Sequence, residues 1–484
     1  MSKNKKQKIK SQKSRTKLNQ HTKKGKTLSP AFSQLKNTLG DRMLFSNWAT
    51  DRLPELLWVA IIRVIYSQSE AIDNYNRILS FIKIKNSESL SDISLSGLSH
   101  LSPLLKEEFI SCILEDKKTA DALTVLGLFK SLPAREIWVK LLPNTKPDLT
   151  ILMKAIGFCL FHQTQESTDC RWFSLMAYYY SGKIIIPDAL TYDLINYPHT
   201  GEQKLVRPFI RAMEMVTPLN DITLDNNTSI KISWSEDFWN ENWSKTPCLT
   251  HNNDNSQYTT ELISIKKELY YHWKITHITT RIDPKHDAIF GFTLYTLRIV
   301  NEISASTIAH GIVGRLGMRS ILECYITLHY LIKKNDPDLW STWRRYGSGQ
   351  AKLNALRFDE EISQPEYINS ESLEMICGED SWEEYLDIEL GNWTKLDLRK
   401  ISIHSGVKDL YDKYYSWTSS YSHGHWGAIR ESSFQTCSNP LHRLHRIPYE
   451  NTLECVINDA KFIFNLILDD LDEIYPSFKY RLSI

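Results

Sequence analysis

Apolar side chains along this 484-residue chain recur mostly three and four positions apart, and few stretches alternate long enough to read as strands. That pattern predicts helices over 54–66, 69–83, 103–114, 117–131, 148–163 and 203–216 in the first half. In the second half it predicts longer ones over 258–280, 286–305, 307–334 and 338–357, then a shorter piece near 396–404, then 407–423 and 449–474. Pro103, Pro133 and Pro143 punctuate the first set. The most apolar run, LPELLWVAIIRVIY from Leu53 to Tyr66, contains Arg63 and falls short of the ~20 residues a membrane span needs. It predicts a buried helix instead. The fold class expected is all-α.

Between the two sets, residues 218–257 are rich in Asn, Asp, Ser and Thr and predict a polar linker or surface excursion. Within it, WSEDFWNENW could form a short helix packed on a neighbour. The expected organisation is a helical N-terminal domain over 28–217, that linker, and a helical bundle of antiparallel neighbours over 258–484.

Charge changes the picture at one end only. The net charge of +1 conceals ten Lys, one Arg and no acid in residues 1–27, which leaves the remainder net acidic. Such a run buries no apolar surface and predicts a disordered basic arm. No apolar stretch follows it, so it is not read as a secretory signal. It contains no aromatic residue, so any contact with RNA or other nucleic acid would be through charge alone. The eight cysteines are scattered without a C-x-x-C pair, which fits a reducing, cytoplasmic setting.

The candidate chemistry lies in two segments. In SASTIAHGIVGRLGMRSILECYITLHYL (Ser304–Leu331), Gly311, Gly314 and Gly317 recur every third residue. Together they cost a helix ~3 kcal/mol, which close approach of another element would offset. Arg315, Arg319 and Glu323 follow at i, i+4, i+8 and share one face. In YYSWTSSYSHGHWGAIRES (Tyr414–Ser432), Tyr415, Ser419 and His423 share a face in the same way, and Gly424 ends the helix. His425, Trp426 and Arg430 follow. If the two faces meet, an Arg, a carboxylate and one or two imidazoles share a cleft, which are the parts for acid–base work on a phosphate ester. The plainer reading is a surface ion pair and a histidine favoured by the helix dipole.

GMRSILECYITLHYL, WRRYG and LYDKYYSWTSSYSHGHWGAIRE, in that order, resemble a bacterial family of unknown function, the domain numbered 5677, over about 258–484. The family pattern falls here on Arg319 and Glu323, on Tyr346, and on Tyr415, Ser419 and His423. A second resemblance is to HEPN-type helical bundles, which include RNases of toxin and phage-defence systems and carry Arg followed four to six residues later by His. That spacing occurs at Arg281–His286, at Arg399–His404 and, in the basic arm, at Arg15–His21. The segment of His423 has no Arg at that upstream distance.

Two function classes follow. In the first, the protein handles RNA or another phosphate-bearing ligand, as a metal-independent phosphodiester hydrolase of a defence or toxin module. Arg319, Glu323, His423 and His425 would then be catalytic, and Tyr346, Tyr415, Ser419 and Arg430 would bind ligand. In the second, it is a non-catalytic interaction module whose polar cluster fixes helix register, with a protein partner or a second copy as its target. No cofactor and no metal are expected. Cys437, His442 and His445 lie close in sequence, but Cys-x4-His-x2-His is not a zinc-finger spacing, and NPLHRLHRIPYE reads as a basic surface loop.

Overall fold

The computed structural model describes residues 16–30, 33, 46–161, 163–199, 203–215, 222–224, 230–248, 258–304, 307–360, 364–379, 386–443 and 445–484. The chain divides into two compact units, Met1–Gly40 with Thr250–Ile484 and Asp41–Leu249. The all-α expectation holds: helices dominate, and among the described residues the strands are two or three residues long. No helix among the described residues is long and apolar enough to cross a membrane. Two such strands, β1 (Thr22–Lys24) and β2 (Thr27–Ser29), open the first unit.

The unit of Asp41–Leu249 is built around α1 (Leu57–Ile65), in which every side chain from Leu57 to Arg63 is buried. Full burial of each large aliphatic side chain there contributes about 1.5–3 kcal/mol, which is why the run reads as continuous rather than one-sided. Helices α2 (Gln68–Lys85), α3 (Leu149–Cys159) and α4 (Gln165–Tyr180) pack around it. The core between them is aromatic: Trp58 meets Phe173 edge-on at 5.5 Å, and Tyr75 stacks on Phe173 at 4.6 Å. Asp169 of α4 sits fully buried in this core. It accepts from Arg63 Nε at 2.7 Å, Tyr197 Oη at 2.6 Å and Gln165 Nε2 at 2.8 Å.

Within the polar stretch 218–257, the segment WSEDFWNENW forms the short packed helix expected of it, and a two-stranded hairpin precedes it. Strands β3 (Ile222–Leu224) and β4 (Ile230–Ile232) pair antiparallel, and α5 (Ser233–Lys245) follows directly. Trp234 and Phe238, one turn apart, are both buried in the core of this unit. Trp234 Nε1 donates to Pro54 O at 2.9 Å, and Ser235 Oγ to Asp51 O at 2.7 Å. Two aromatic anchors suffice to seat the helix despite the polar composition around it. Residues 218–221, 225–229 and 249–257 of that stretch lie outside the described residues.

In the other unit, α6 (Thr260–Thr276), α7 (Pro284–Ile303), α8 (Ile312–Lys334), α9 (Pro337–Glu360), α10 (Ser370–Gly378), β5 (Ile388–Glu389), α11 (Leu398–Ser405), α12 (Lys408–Ser422), α13 (Trp426–Ser433), β6 (Phe434–Thr436), β7 (Arg446–Pro448) and α14 (Ile457–Ile474) follow in order. The central element is α8, which packs against α7, α11, α12 and α14. Its core face includes Met318, Ile321, Leu322, Tyr325, Ile326 and Leu328.

Helix α8 begins at Ile312, later than periodicity predicts, and the glycines part company. Gly311 is its N-cap. A Cβ on Gly314 would lie 2.5 Å from Ile308 O, and one on Gly317 would lie 2.8 Å from Ile303 Cδ1 of α7. Two of the three glycines therefore permit the close approach expected of the stripe. The last helix likewise starts at Ile457 and not near 449. The residues before it are tied to the turn before α8 instead, with Leu453 N donating to His310 O at 3.0 Å and Val456 N to Ala309 O at 3.2 Å.

The expectation of a disordered arm over 1–27 is corrected for its described part, residues 16–27. Strands β1 and β2 form a hairpin across Gly25–Lys26, with Gly25 at φ +61°, a geometry that suits a two-residue turn. β2 pairs antiparallel with β5, and Thr27 Oγ1 donates to Glu389 Oε1 at 2.6 Å. Leu18 and Leu28 pack on Leu353, Leu356 and Ile388. Two leucines among the lysines provide the anchor. Residues 1–15, and with them Arg15, lie outside the described residues.

Candidate functional site

Arg319 projects from α8 onto α12. Its Nε donates to Glu323 Oε1 at 2.7 Å, one Nη to Ser419 Oγ at 3.2 Å and the other to Tyr415 Oη at 2.9 Å. The i, i+4 faces of the two helices therefore meet. The guanidinium also lies 4.8 Å above the Tyr415 ring, which itself stacks on Tyr411 at 4.5 Å. Partial burial works against the charge, but the hydrogen bond and field of Glu323, with Tyr415 behind, prevail and raise the Arg319 pKa above its usual value. The Arg319 side chain is 17 % exposed and Glu323 40 % exposed, so the pair sits at the rim of the bundle rather than in its core.

A guanidinium carries five N–H donors. Three are used here, and among the described residues the remaining two, one on each Nη, make no hydrogen bond. Arg315, one turn earlier, has a different task. It is buried, donates to Glu454 O at 2.7 Å, and ties the start of α8 to the segment before α14.

The histidines sit at the end of this seam. His423 is the C-cap of α12, its N–H bonded to Ser419 O at 3.2 Å, and Gly424 at φ +59° turns the chain. His425 caps α13, and the two imidazoles stack at 5.7 Å. Both are exposed. Arg430 is engaged locally, donating to Phe434 O and, at 2.6 Å, to Thr436 Oγ1. Tyr346 lies elsewhere, lining a pocket of about 270 Å³ with Asp287, Trp343, Arg344 and Glu379. Arg344 pairs there with Asp287 and reaches Glu379 at 3.5 Å. Burial raises the Asp287 pKa against the pull of Arg344.

The two R-x4-H pairs also part. Arg399 and His404 are exposed on α11. His286 is buried in the first turn of α7, with Nε2 3.0 Å from Thr276 Oγ1 and its ring 5.0 Å from that of His277. Burial first, then the neighbouring His277, depresses its pKa to about 4.

Sequence reasoning missed one dyad. His329 Nδ1 of α8 lies 2.9 Å from Asp470 Oδ1 of α14, and burial pushes the Asp470 pKa up against that hydrogen bond. The available signal was an acid at position 470 on the apolar face defined by Ile463, Ile467 and Leu471. Finally, the donor atoms of Cys437, His442 and His445 all lie within 4.8 Å of one another.

Residues 286–440 match a family of unknown function, DUF5677. The matched span contains Arg319, Glu323, Tyr346, Tyr415, Ser419, His423, His425 and Arg430. No curated protein and no solved structure matches the chain.

Proposed function

We propose that the seam between α8 and α12 binds a phosphate-bearing ligand, RNA foremost. Arg319 is the anchor, and His423 with His425 supplies acid–base groups at the rim in the manner of a HEPN-like ribonuclease. The observation that supports this reading is the state of Arg319. Three side chains hold its guanidinium in place, and two N–H donors remain at a partly exposed position, one on each Nη. A planar fork fixed before the ligand arrives suits two oxygens of one phosphate, which a lysine cannot match. Glu323 then orients the arginine, and Tyr415 with Ser419 forms the wall. Residues 1–15, rich in lysine, would add charge-driven affinity that falls with salt.

The second reading also has an observation behind it. Three of the five Arg319 donors are satisfied within the bundle, which is what a cluster that only fixes helix register would do.

Binding of a short single-stranded RNA to the wild type and to Arg319→Lys separates the two, with RNA integrity followed beside it. The first reading expects at least ~10-fold weaker binding for Arg319→Lys, and loss of ~10²–10⁴-fold in cleavage for His423→Ala at unchanged fold. Equal binding by wild type and Arg319→Lys favours the structural cluster. Loss of cleavage in Arg399→Ala or His404→Ala but not in His423→Ala moves the chemistry to α11.

A further inference from the structure

We propose that Cys437, His442 and His445 form a metal site for zinc, built on the β6–β7 hairpin and independent of the Arg319 seam. The register of that hairpin pairs Thr436 with Arg446, and the ladder continues through Cys437 N donating to His445 O at 2.9 Å. Cys437 and His445 are therefore opposite each other at the mouth of the loop, where facing side chains lie close. His442 ends a short 3₁₀ turn over Pro440–His442, which Asn439 caps by accepting from Leu441 N at 3.0 Å. His445 N then donates to His442 O at 3.2 Å. The backbone thus brings the third donor back over the other two.

The spacing of the donor atoms suits one ion. Zinc–sulfur and zinc–nitrogen bonds of ~2.3 and ~2.0–2.1 Å at a tetrahedral angle place sulfur and nitrogen about 3.6 Å apart. Cys437 Sγ lies 3.6 Å from His442 Nδ1. The whole set falls within 4.8 Å, so seating His445 needs only a small side-chain adjustment. One thiolate and two imidazoles form a borderline donor set that favours zinc over magnesium or calcium. His442 and His445 are exposed, so the fourth position is open to water or to an anion. On binding, the thiol proton passes to solvent and both imidazoles coordinate in the neutral form, so affinity rises with pH.

The test uses the full chain, stripped with chelator and titrated with Co²⁺ as a spectroscopic probe. The expected result is one equivalent bound, with thiolate-to-cobalt charge-transfer absorption and tetrahedral d–d bands, both abolished by Zn²⁺. Cys437→Ser should lose the charge-transfer band. His442→Ala and His445→Ala should each weaken Co²⁺ binding by more than ~10-fold, a loss that changes even to outer-shell groups can cause. Cys248→Ser and Cys455→Ser, at the exposed cysteines, should keep the spectrum. Far-ultraviolet circular dichroism checks that each variant is folded. Absence of the band in the wild type leaves only a thiol–imidazole hydrogen bond and overturns the proposal. Persistence of the band in folded Cys437→Ser overturns it as well.

Discussion

The two units each hold an arginine, a carboxylate and a tyrosine hydroxyl in one cluster, yet the clusters differ in kind. In the unit of Asp41–Leu249, Asp169 is fully buried and takes four partners, Arg63, Tyr197, Gln165 and Gln68, the last at 3.2 Å. In the other unit, Glu323 is 40 % exposed, and Arg319 keeps two donors unused among the described residues. The first is closed, and its worth is the avoided cost of a bare buried charge. The second is half open, so its contribution to stability is small and its capacity to meet a ligand is larger. Residue types alone do not separate a structural network from a candidate site; exposure and remaining hydrogen-bond capacity do.

The comparison can be broken most directly at Asp169. Asp169→Ala removes the close partner of Arg63 in the core, leaves it only the longer 3.9 Å contact to Glu166, and should destabilise that unit by about 3–5 kcal/mol, read by urea unfolding. A loss below about 1 kcal/mol would mean the cluster is as tolerant as the one at Arg319. Arg319→Ala should cost about 1–2 kcal/mol in the same measurement, because Glu323 it leaves behind can be hydrated. A cost as large as that of Asp169→Ala would place Arg319 with the structural networks.

Acid gives the next effect. His286 has its pKa depressed to about 4, so the unfolded chain binds its proton first as pH falls through about 6.5. The stabilisation is complete above that pH and is lost progressively down to about 4. The loss should be about 1–2 kcal/mol once solvent screening is allowed for, and His286→Phe, sized for its neighbours Phe290 and Tyr475, should flatten the slope. An unchanged slope would show that His286 does not carry the pH dependence. The smallest effect expected is that of Glu323→Gln. At a rim ion pair it should change stability by less than about 0.5 kcal/mol, while loosening Arg319 enough to weaken RNA binding.

Much of the helical architecture was legible because long periodic stretches specify their own buried faces. Leu57–Arg63 was legible in another way, as an unbroken apolar run that is buried throughout. The meeting of Arg319 with Tyr415 and Ser419 was legible for a related reason: i, i+4 spacing puts side chains on one face, and central helices bring such faces together. Partners set by long-range pairing were not legible. β1 and β2 are three residues each, too short for alternation to register, and their neighbour β5 is far along the chain. Tyr346 falls on a helix as expected, but helix rotation sends it to the Asp287 pocket. Asp169 looks like an ordinary polar position until the surrounding helices bury it. Cys437, His442 and His445 stood out in sequence but read as a basic surface loop, because their donors are gathered by hairpin register and a 3₁₀ turn, which ligand spacing in sequence does not encode.

The pairing of β2 with β5 has a consequence in time. Thr27 and Glu389 are 362 residues apart. At a synthesis rate of ~5–20 residues per second, the N-terminal hairpin waits roughly 20–70 s on the ribosome before its third strand exists. The whole of Asp41–Leu249 is made during that interval and can complete its own core first. Until then β2 carries an unpaired edge, and Lys26, in the turn that leads into it, is the kind of residue that keeps such an edge from pairing with another nascent chain.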